Sequence, residues 1–318
     1  MPSPERPGTL RLGTRGSLLA RTQSRIVADA LEKRHPGVHV ELVTVKTSGD
    51  RIADRPLNDV GGKGLFTKEL EQALLAGEID FAVHSYKDVP VTMPLVEQGN
   101  LVVAAVPARE DVRDVLVSFK AKRLEDLPQG AKLGTSSLRR RCQALAVRPD
   151  LVVLPVRGNI DTRLRKLRDG EYDAILLAAA GLRRAGLFDG SHMSFMELDA
   201  MLPAPGQGAL ALQCRRDDGT TRSLLVALDD ELTAECIAAE RAVVAALEGD
   251  CHSPIAALAV PLAWSTHLSV AIGRRDGRPP VIKAQASFPK GQAFFAGGIA
   301  KVVSGLESQG VRELLHGR

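Results

Sequence analysis

Aromatic residues are scarce: Phe, Trp and Tyr together make up 3% of the 318 residues. A platform for single-stranded nucleic acid needs a ring beneath each base, so this scarcity argues against such a platform. Cysteine is scarce too. Cys142, Cys214, Cys236 and Cys251 show neither CxxC nor zinc-ligand spacing and are too few for a disulfide framework. His84, His252 and His267 have no metal-ligand spacing either, so no metal is expected. No window approaches the roughly 18 consecutive apolar residues that a membrane span needs, so no membrane partner is expected. GxxxxGK[ST] is absent, no GxGxxG follows a strand, and GGKG at 61–64 lacks the spacing of a phosphate loop. The opening MPSPERPGTLRLG carries prolines and a Glu-Arg pair where a secretory signal needs an apolar run. The expectation is a cytoplasmic protein.

What is present points to a globular chain of two or three domains, with 44% hydrophobic residues. Charge is uneven. Residues 132–184 hold 12 Lys and Arg against 5 Asp and Glu, a net +7 that leaves −3 for the rest of the chain. Such a block suits a polyanionic ligand, either nucleic acid or a small molecule with several carboxylates or phosphates, and the plain alternative is a solvated helix face.

Periodicity predicts a strand at 10–14, an amphipathic helix from Ser17 to Arg34 and a strand at 38–45, the opening of an α/β domain. A polar, Gly-containing stretch from Lys46 to Gly64 has no period and reads as a binding loop. A helix over 65–76 and strands over 79–84 and 101–106 complete this set. A second set has strands at 114–119, 131–134, 151–156 and 173–177, with helices at 136–147, 160–169 and up to Gly186. PAPGQG at 203–208 is a crossing rich in breakers, followed by a strand at 209–213. A helix at 232–247, strands at 255–260, 268–272 and 281–287 and a helix at 292–308 form a closing α+β unit.

The two α/β sets begin alike. LGTRGSLLARTQ at 12–23 and LGTSSLRRRCQ at 133–143 share a strand, an LGT, a hydroxyl-bearing turn and a helix with Gln at similar depth. A helix start with unpaired backbone N–H groups, Ser or Thr hydroxyls and an adjacent Arg is an anion site.

Asp88 lies in AVHSYKDVP, just past the C-terminal end of an apolar strand, where open α/β sheets place ligand groups. A turn or salt-bridge aspartate is the plain alternative, but His84, Ser85, Lys87 and Asp88 put four polar groups into five residues. Arg139, Arg140, Arg157 and Arg163 fall at turns and first helical turns, placed to fork carboxylates. Cys251 stands in EGDCHSP between a helix and a strand, either as a half-buried structural thiol or as a displayed, reactive one.

AVHSYKDVP, LGTSSLRR, VRGNIDTR, PAPGQGALALQC and GDCHSP, with LGTRGSLLA and VGGKGLF, resemble the porphobilinogen deaminase family over about residues 10–260. The resemblance implies an α/β fold of two periplasmic-binding-protein-type lobes with a cleft between them, plus a small α+β C-terminal domain. The implied boundaries are 1–107 with 203–228, 108–202, and 229–318. It implies a hydroxymethylbilane synthase, a transferase of tetrapyrrole biosynthesis. Porphobilinogen loses ammonia to give an azafulvene cation, which the growing chain attacks; four rounds and a hydrolysis release linear hydroxymethylbilane. Cys251 would hold a dipyrromethane cofactor through a thioether, and Asp88 would stabilise the developing cation. Ser85, Lys87, Thr135, Ser136, Ser137, Arg139, Arg140 and Asp50 match cofactor-binding positions. Arg15, Ser17, Lys63, Phe66, Arg157, Arg163 and Gln207 match substrate-binding ones. A monomer is the expected state. Asp250, Gly190 and Asp59 depart from the family pattern and put single carboxylate contacts in doubt. The rival readings are a non-catalytic two-lobed binding protein for a small polycarboxylate and a thiol-dependent hydrolase or redox enzyme.

Overall fold

The computed structural model of the protein describes residues 8–47, 67–91, 99–250 and 253–316. The chain divides into two compact units, Met1–Arg109 with Ala209–Ala234 and Glu110–Gly208 with Glu235–Arg318.

The first unit holds β1 (Thr9–Thr14), α1 (Leu18–Arg34), β2 (His39–Thr44), α2 (Lys68–Leu75), β3 (Phe81–Ser85), β4 (Leu101–Ala105), β10 (Leu210–Arg215) and α6 (Gly219–Val226). Its sheet runs β2-β1-β3-β10-β4. β1 is parallel to β2 and β3, while β10 is antiparallel to β3 and β4. Helix α1 buries Gln23, Ser24, Val27, Ala28 and Leu31, a stripe at helical spacing. Its apolar members pack with Leu12, Val40, Phe81 and Leu212 of the sheet. Strand β3 is buried from Phe81 through His84, as expected of a central strand covered on both faces.

The second unit contains β5 (Asp114–Val117), β6 (Lys132–Gly134), α3 (Leu138–Val147), β7 (Val152–Leu154), α4 (Ile160–Arg168), β8 (Ala174–Ala178), α5 (Ala179–Arg184) and β9 (Met193–Phe195). Here the order is β7-β6-β8-β5-β9. β6 is parallel to β7 and β8, and β5 is antiparallel to β8 and β9. The two sheets therefore match strand for strand, each with its one reversed strand in the fourth place. Neighbouring strand residues enter different cores: Leu116 and Leu176 in one, Val115, Val117, Ile175 and Leu177 in the other.

The same unit carries an antiparallel sheet of β11 (Ile255–Pro261), β12 (Ser265–Ile272) and β13 (Ile282–Pro289), with α8 (Gln292–Glu307) and α9 (Val311–His316). Helix α7 (Glu231–Ala246) precedes it and brings in Glu240, which is fully buried. The Glu240 carboxylate accepts from Gly206 N at 2.7 Å and from Ala259 N at 2.9 Å, joining the crossing, the helix and β11. Two α/β lobes and a small α+β part are thus present.

The shared LGT has a steric cause. A Cβ at Gly13 would strike the Ile79 and Leu70 side chains, and one at Gly134 would strike Ile175 and Tyr172. In the crossing, Gly208 has φ +87°, and a Cβ there would run into the Glu110 carbonyl. Only glycine meets both demands.

Some boundaries differ from the sequence expectation. Ser17 and Ser137 are caps rather than helical residues, each side chain accepting from the backbone N–H three residues on. Strand β7 ends at Leu154, because proline follows and cannot donate to a ladder. β9, α6 and α9 were not legible. β9 has three residues, and α6 opens on Gly-Thr-Thr with its start set by the Asp218 cap. No helix among the described residues is long and apolar enough to cross a membrane.

Candidate active site

In the first unit the parallel strands β1 and β3 end side by side, so the turns that follow them share one sheet edge. Arg15 and Ser17 follow β1; Ser85 ends β3, and a 3₁₀ turn carries Tyr86–Asp88. The Ser17 hydroxyl accepts from Ala20 N at 3.3 Å. The Gln23 amide holds the Ser85 hydroxyl, donating through Nε2 at 3.1 Å and accepting through Oε1 at 3.2 Å. Asp88 is exposed, and Ser85 and Lys87 are half-buried.

His84 leaves the polar cluster that the sequence suggested. It points inward and is buried, with Nε2 at 3.0 Å from Gln213 Oε1. Gln213 Nε2 in turn donates to Glu71 Oε1 at 3.2 Å. Burial lowers the imidazole pKa to about 4, partly offset by the Gln213 hydrogen bond, with the Arg15 charge adding to the depression. The ring is neutral at pH 7. Burial also raises the Glu71 carboxyl against the opposing pull of Gln213.

The second unit repeats the device at the ends of β6 and β7. Thr135 N donates to Leu154 O at 2.9 Å, and Ser136 Oγ donates to Val156 O at 2.9 Å. Ser137 N donates to Thr135 Oγ1 at 3.2 Å, and the Ser137 hydroxyl caps α3. Thr135, Ser136 and Ser137 are therefore tied to the strand ends beside Arg157, which is half-buried. Arg163 donates from Nε to Gly158 O at 2.8 Å, folding back on its own loop.

Arg139 and Arg140 are 4% and 7% exposed and converge with Gln207 on Asp114, which is fully buried at the start of β5. Arg139 Nη1 donates to Asp114 Oδ2 at 2.7 Å, and Arg140 donates to Oδ1 from Nε at 3.0 Å and from Nη2 at 2.7 Å. Gln207 Nε2 reaches the same Oδ1 at 3.0 Å. Burial alone would push the Asp114 carboxyl up, but the two guanidinium charges and their hydrogen bonds hold it well below the usual carboxylate range. Burial pushes Arg139 down, with Asp114 opposing and Arg140 adding to the effect. Two cations thus share one carboxylate. Among the described residues, the buried Arg139 Nε has no acceptor. Surplus positive charge with an unused N–H fits a ligand that carries carboxylates.

Asp114 was not legible as a site residue, although an aspartate opening the apolar run DVLV signals a buried charge in need of partners. Cys251, Asp50, Lys63, Phe66 and Asp59 lie outside the described residues. At Asp250 no left-handed backbone is needed; positive φ falls on Glu248 instead. The Asp250 N–H donates to Ser253 Oγ at 3.0 Å, and that hydroxyl donates back to Asp250 Oδ1 at 2.8 Å. No group of three or more His, Cys, Asp and Glu side chains among the described residues could hold a metal ion.

Family models described as "Porphobilinogen deaminase, dipyromethane cofactor binding domain" and "Porphobilinogen deaminase, C-terminal domain" match residues 10–223 and 234–297. A porphobilinogen deaminase of Roseiflexus sp. (strain RS-1) is 50% identical over 270 residues, covering 85% of this chain and 88% of its own length. One from Acidithiobacillus ferrooxidans (strain ATCC 53993 / BNL-5-31) is 47% identical over 310 residues, covering 97% and 98%. Among solved structures, the methionine binding protein MetQ aligns with a TM-score of 0.44 at 14% identity, covering 74% of this chain and 95% of that one.

Proposed function

Because this chain belongs to the porphobilinogen deaminase family, we propose that it is a hydroxymethylbilane synthase, a transferase that deaminates porphobilinogen and joins four molecules head to tail. The observation that carries this is the pair of family matches running from residue 10 to 297. The product is linear hydroxymethylbilane, for tetrapyrrole biosynthesis. The alternative of a non-catalytic two-lobed binding protein is not favoured.

When bound, dipyrromethane supplies the covalent primer whose free pyrrole carbon begins the chain. Cys251 is the proposed thioether anchor. Its three fellow cysteines support this, since Cys142, Cys214 and Cys236 are all buried. Burial pushes the Cys142 and Cys214 thiols up to about 11, which leaves little thiolate at neutral pH. Arg139 and Arg140 are the proposed holders of cofactor carboxylates, supported by the charge surplus around Asp114 and by the Arg139 Nε, which has no acceptor among the described residues. Ser85, Lys87, Thr135, Ser136, Ser137 and Asp50 complete the proposed cofactor set.

Asp88 is the proposed catalytic group. Its exposed carboxylate can accept from pyrrole N–H groups, offset the positive charge that grows as ammonia leaves, and carry a proton. Arg15, Ser17, Lys63, Phe66, Arg157, Arg163 and Gln207 are proposed to bind the acetate and propionate groups of the substrate and growing chain. We further propose three domains (1–107 with 203–228, 108–202, and 229–318), a monomeric state, no nucleic-acid partner and a cytoplasmic location. Cys142, Cys214 and Cys236, none of them in a disulfide, are compatible with that location.

Incubation of the purified, cofactor-loaded protein with porphobilinogen tests the activity. Ammonia release together with hydroxymethylbilane formation is expected. Substrate binding without either product would overturn the assignment in favour of a binding protein.

A further inference from the structure

We propose that Asp114 is a positioning residue for the reaction: it fixes the orientation and net charge of the Arg139–Arg140 pair and aligns Gln207 on the same carboxylate. The inference rests on the reading that these arginines hold ligand carboxylates.

Each arginine is pinned on two sides. Arg139 Nη1 donates both to Asp114 Oδ2 and to Leu202 O, the latter at 2.6 Å. Arg140 spends Nε and Nη2 on Asp114 Oδ1 and Nη1 on Leu176 O at 2.9 Å. Rotating either guanidinium would break its bond to Asp114 and its bond to a backbone carbonyl together. The carboxylate therefore decides which N–H groups are left for a ligand, and on Arg139 these include the buried Nε that has no acceptor among the described residues. A one-to-one salt bridge would leave no net charge. Here one anion serves two cations, so the cluster keeps a positive surplus that a ligand carboxylate would offset.

Gln207 extends the arrangement to the crossing. Its Nε2 donates to Val112 O at 2.8 Å and to Asp114 Oδ1 at 3.0 Å. The segment that follows β9 is held in the same way at Leu202, whose N–H donates to Gln143 Oε1 at 2.9 Å. One buried carboxylate thus sets three side chains that come from two widely separated parts of the sequence.

The test compares D114N, R139Q, R140Q and D114N/R140Q. For each, intact mass gives the fraction of chains carrying the cofactor, and kinetics separate kcat from KM for porphobilinogen. D114N is expected to lower the loaded fraction and to reduce kcat in the loaded enzyme by about 10- to 100-fold, the scale of a misplaced positioning group, while KM moves little. In the R140Q background, D114N should cost less than about twofold more, because both changes damage one unit; independent effects would multiply. If D114N is insoluble, D114N/R139Q is compared with R139Q, since that pair leaves a single buried cation.

Wild-type loading and turnover in D114N would overturn the inference while leaving the reading of the arginines intact. So would full multiplication with R140Q. Wild-type behaviour of both R139Q and R140Q would overturn that reading and the inference with it.

Discussion

His84 and Asp88 stand four residues apart in one motif and meet opposite surroundings. Asp88 ends the 3₁₀ turn exposed, open to the pyrrole N–H groups that it is proposed to contact. Loss of one preorganised charge of this kind costs about 10²–10³ in rate, so D88A should lose at least that in kcat with its melting temperature unchanged. Near-normal turnover would remove Asp88 from the mechanism. His84 is buried, and its pKa is about 4 in the folded chain. An unfolded histidine takes up its proton near pH 6.5. Because the folded-state pKa is depressed, stability from this group is full above pH 6.5 and falls as pH drops towards 4. Between pH 7 and pH 5 the loss is on the order of 2 kcal/mol. H84Q keeps a donor for Gln213 and should flatten that part of the pH dependence of the urea midpoint. An undiminished slope in H84Q would assign it to other groups.

At the scale of elements, the crossing at 203–208 is held by side chains together with single backbone bonds at Pro203 and Gly208. Glu240 takes two buried backbone N–H groups, from Gly206 and Ala259. E240A leaves both without that acceptor and should destabilise the protein by about 1–3 kcal/mol, read as a lower melting temperature. An unchanged melt would mean that other groups satisfy those donors. Most of the strands and the helices beginning near Ser17 and Ser137 were legible because alternation and hydroxyl-led helix starts are local signals, although both serines cap their helices instead of opening them. The repeated LGT also announced two matching lobes, since each glycine answers the same crowding where a strand meets its neighbours. The meeting of Asp114 with Arg139, Arg140 and Gln207 was not legible. Those residues come from the crossings and a helix start, and only the reversed placement of β5 brings them together. For the same reason the arginines were readable as anion holders, but not as groups already half engaged by the protein.

At the scale of the whole molecule, a ligand that binds the folded chain and not the unfolded one stabilises it by mass action. Dipyrromethane, once attached, should act in the same sense through its carboxylates, so C251S should melt below the wild-type holoenzyme. An equal melting temperature would mean that the cofactor contributes nothing to the folded state. The central claim is that Cys251 carries the primer on which the product is built. Intact-mass spectrometry of the wild-type protein and C251S tests this most directly. The account predicts a covalent increment of two pyrrole units on the wild type and none on C251S; an increment that persists in C251S would contradict it.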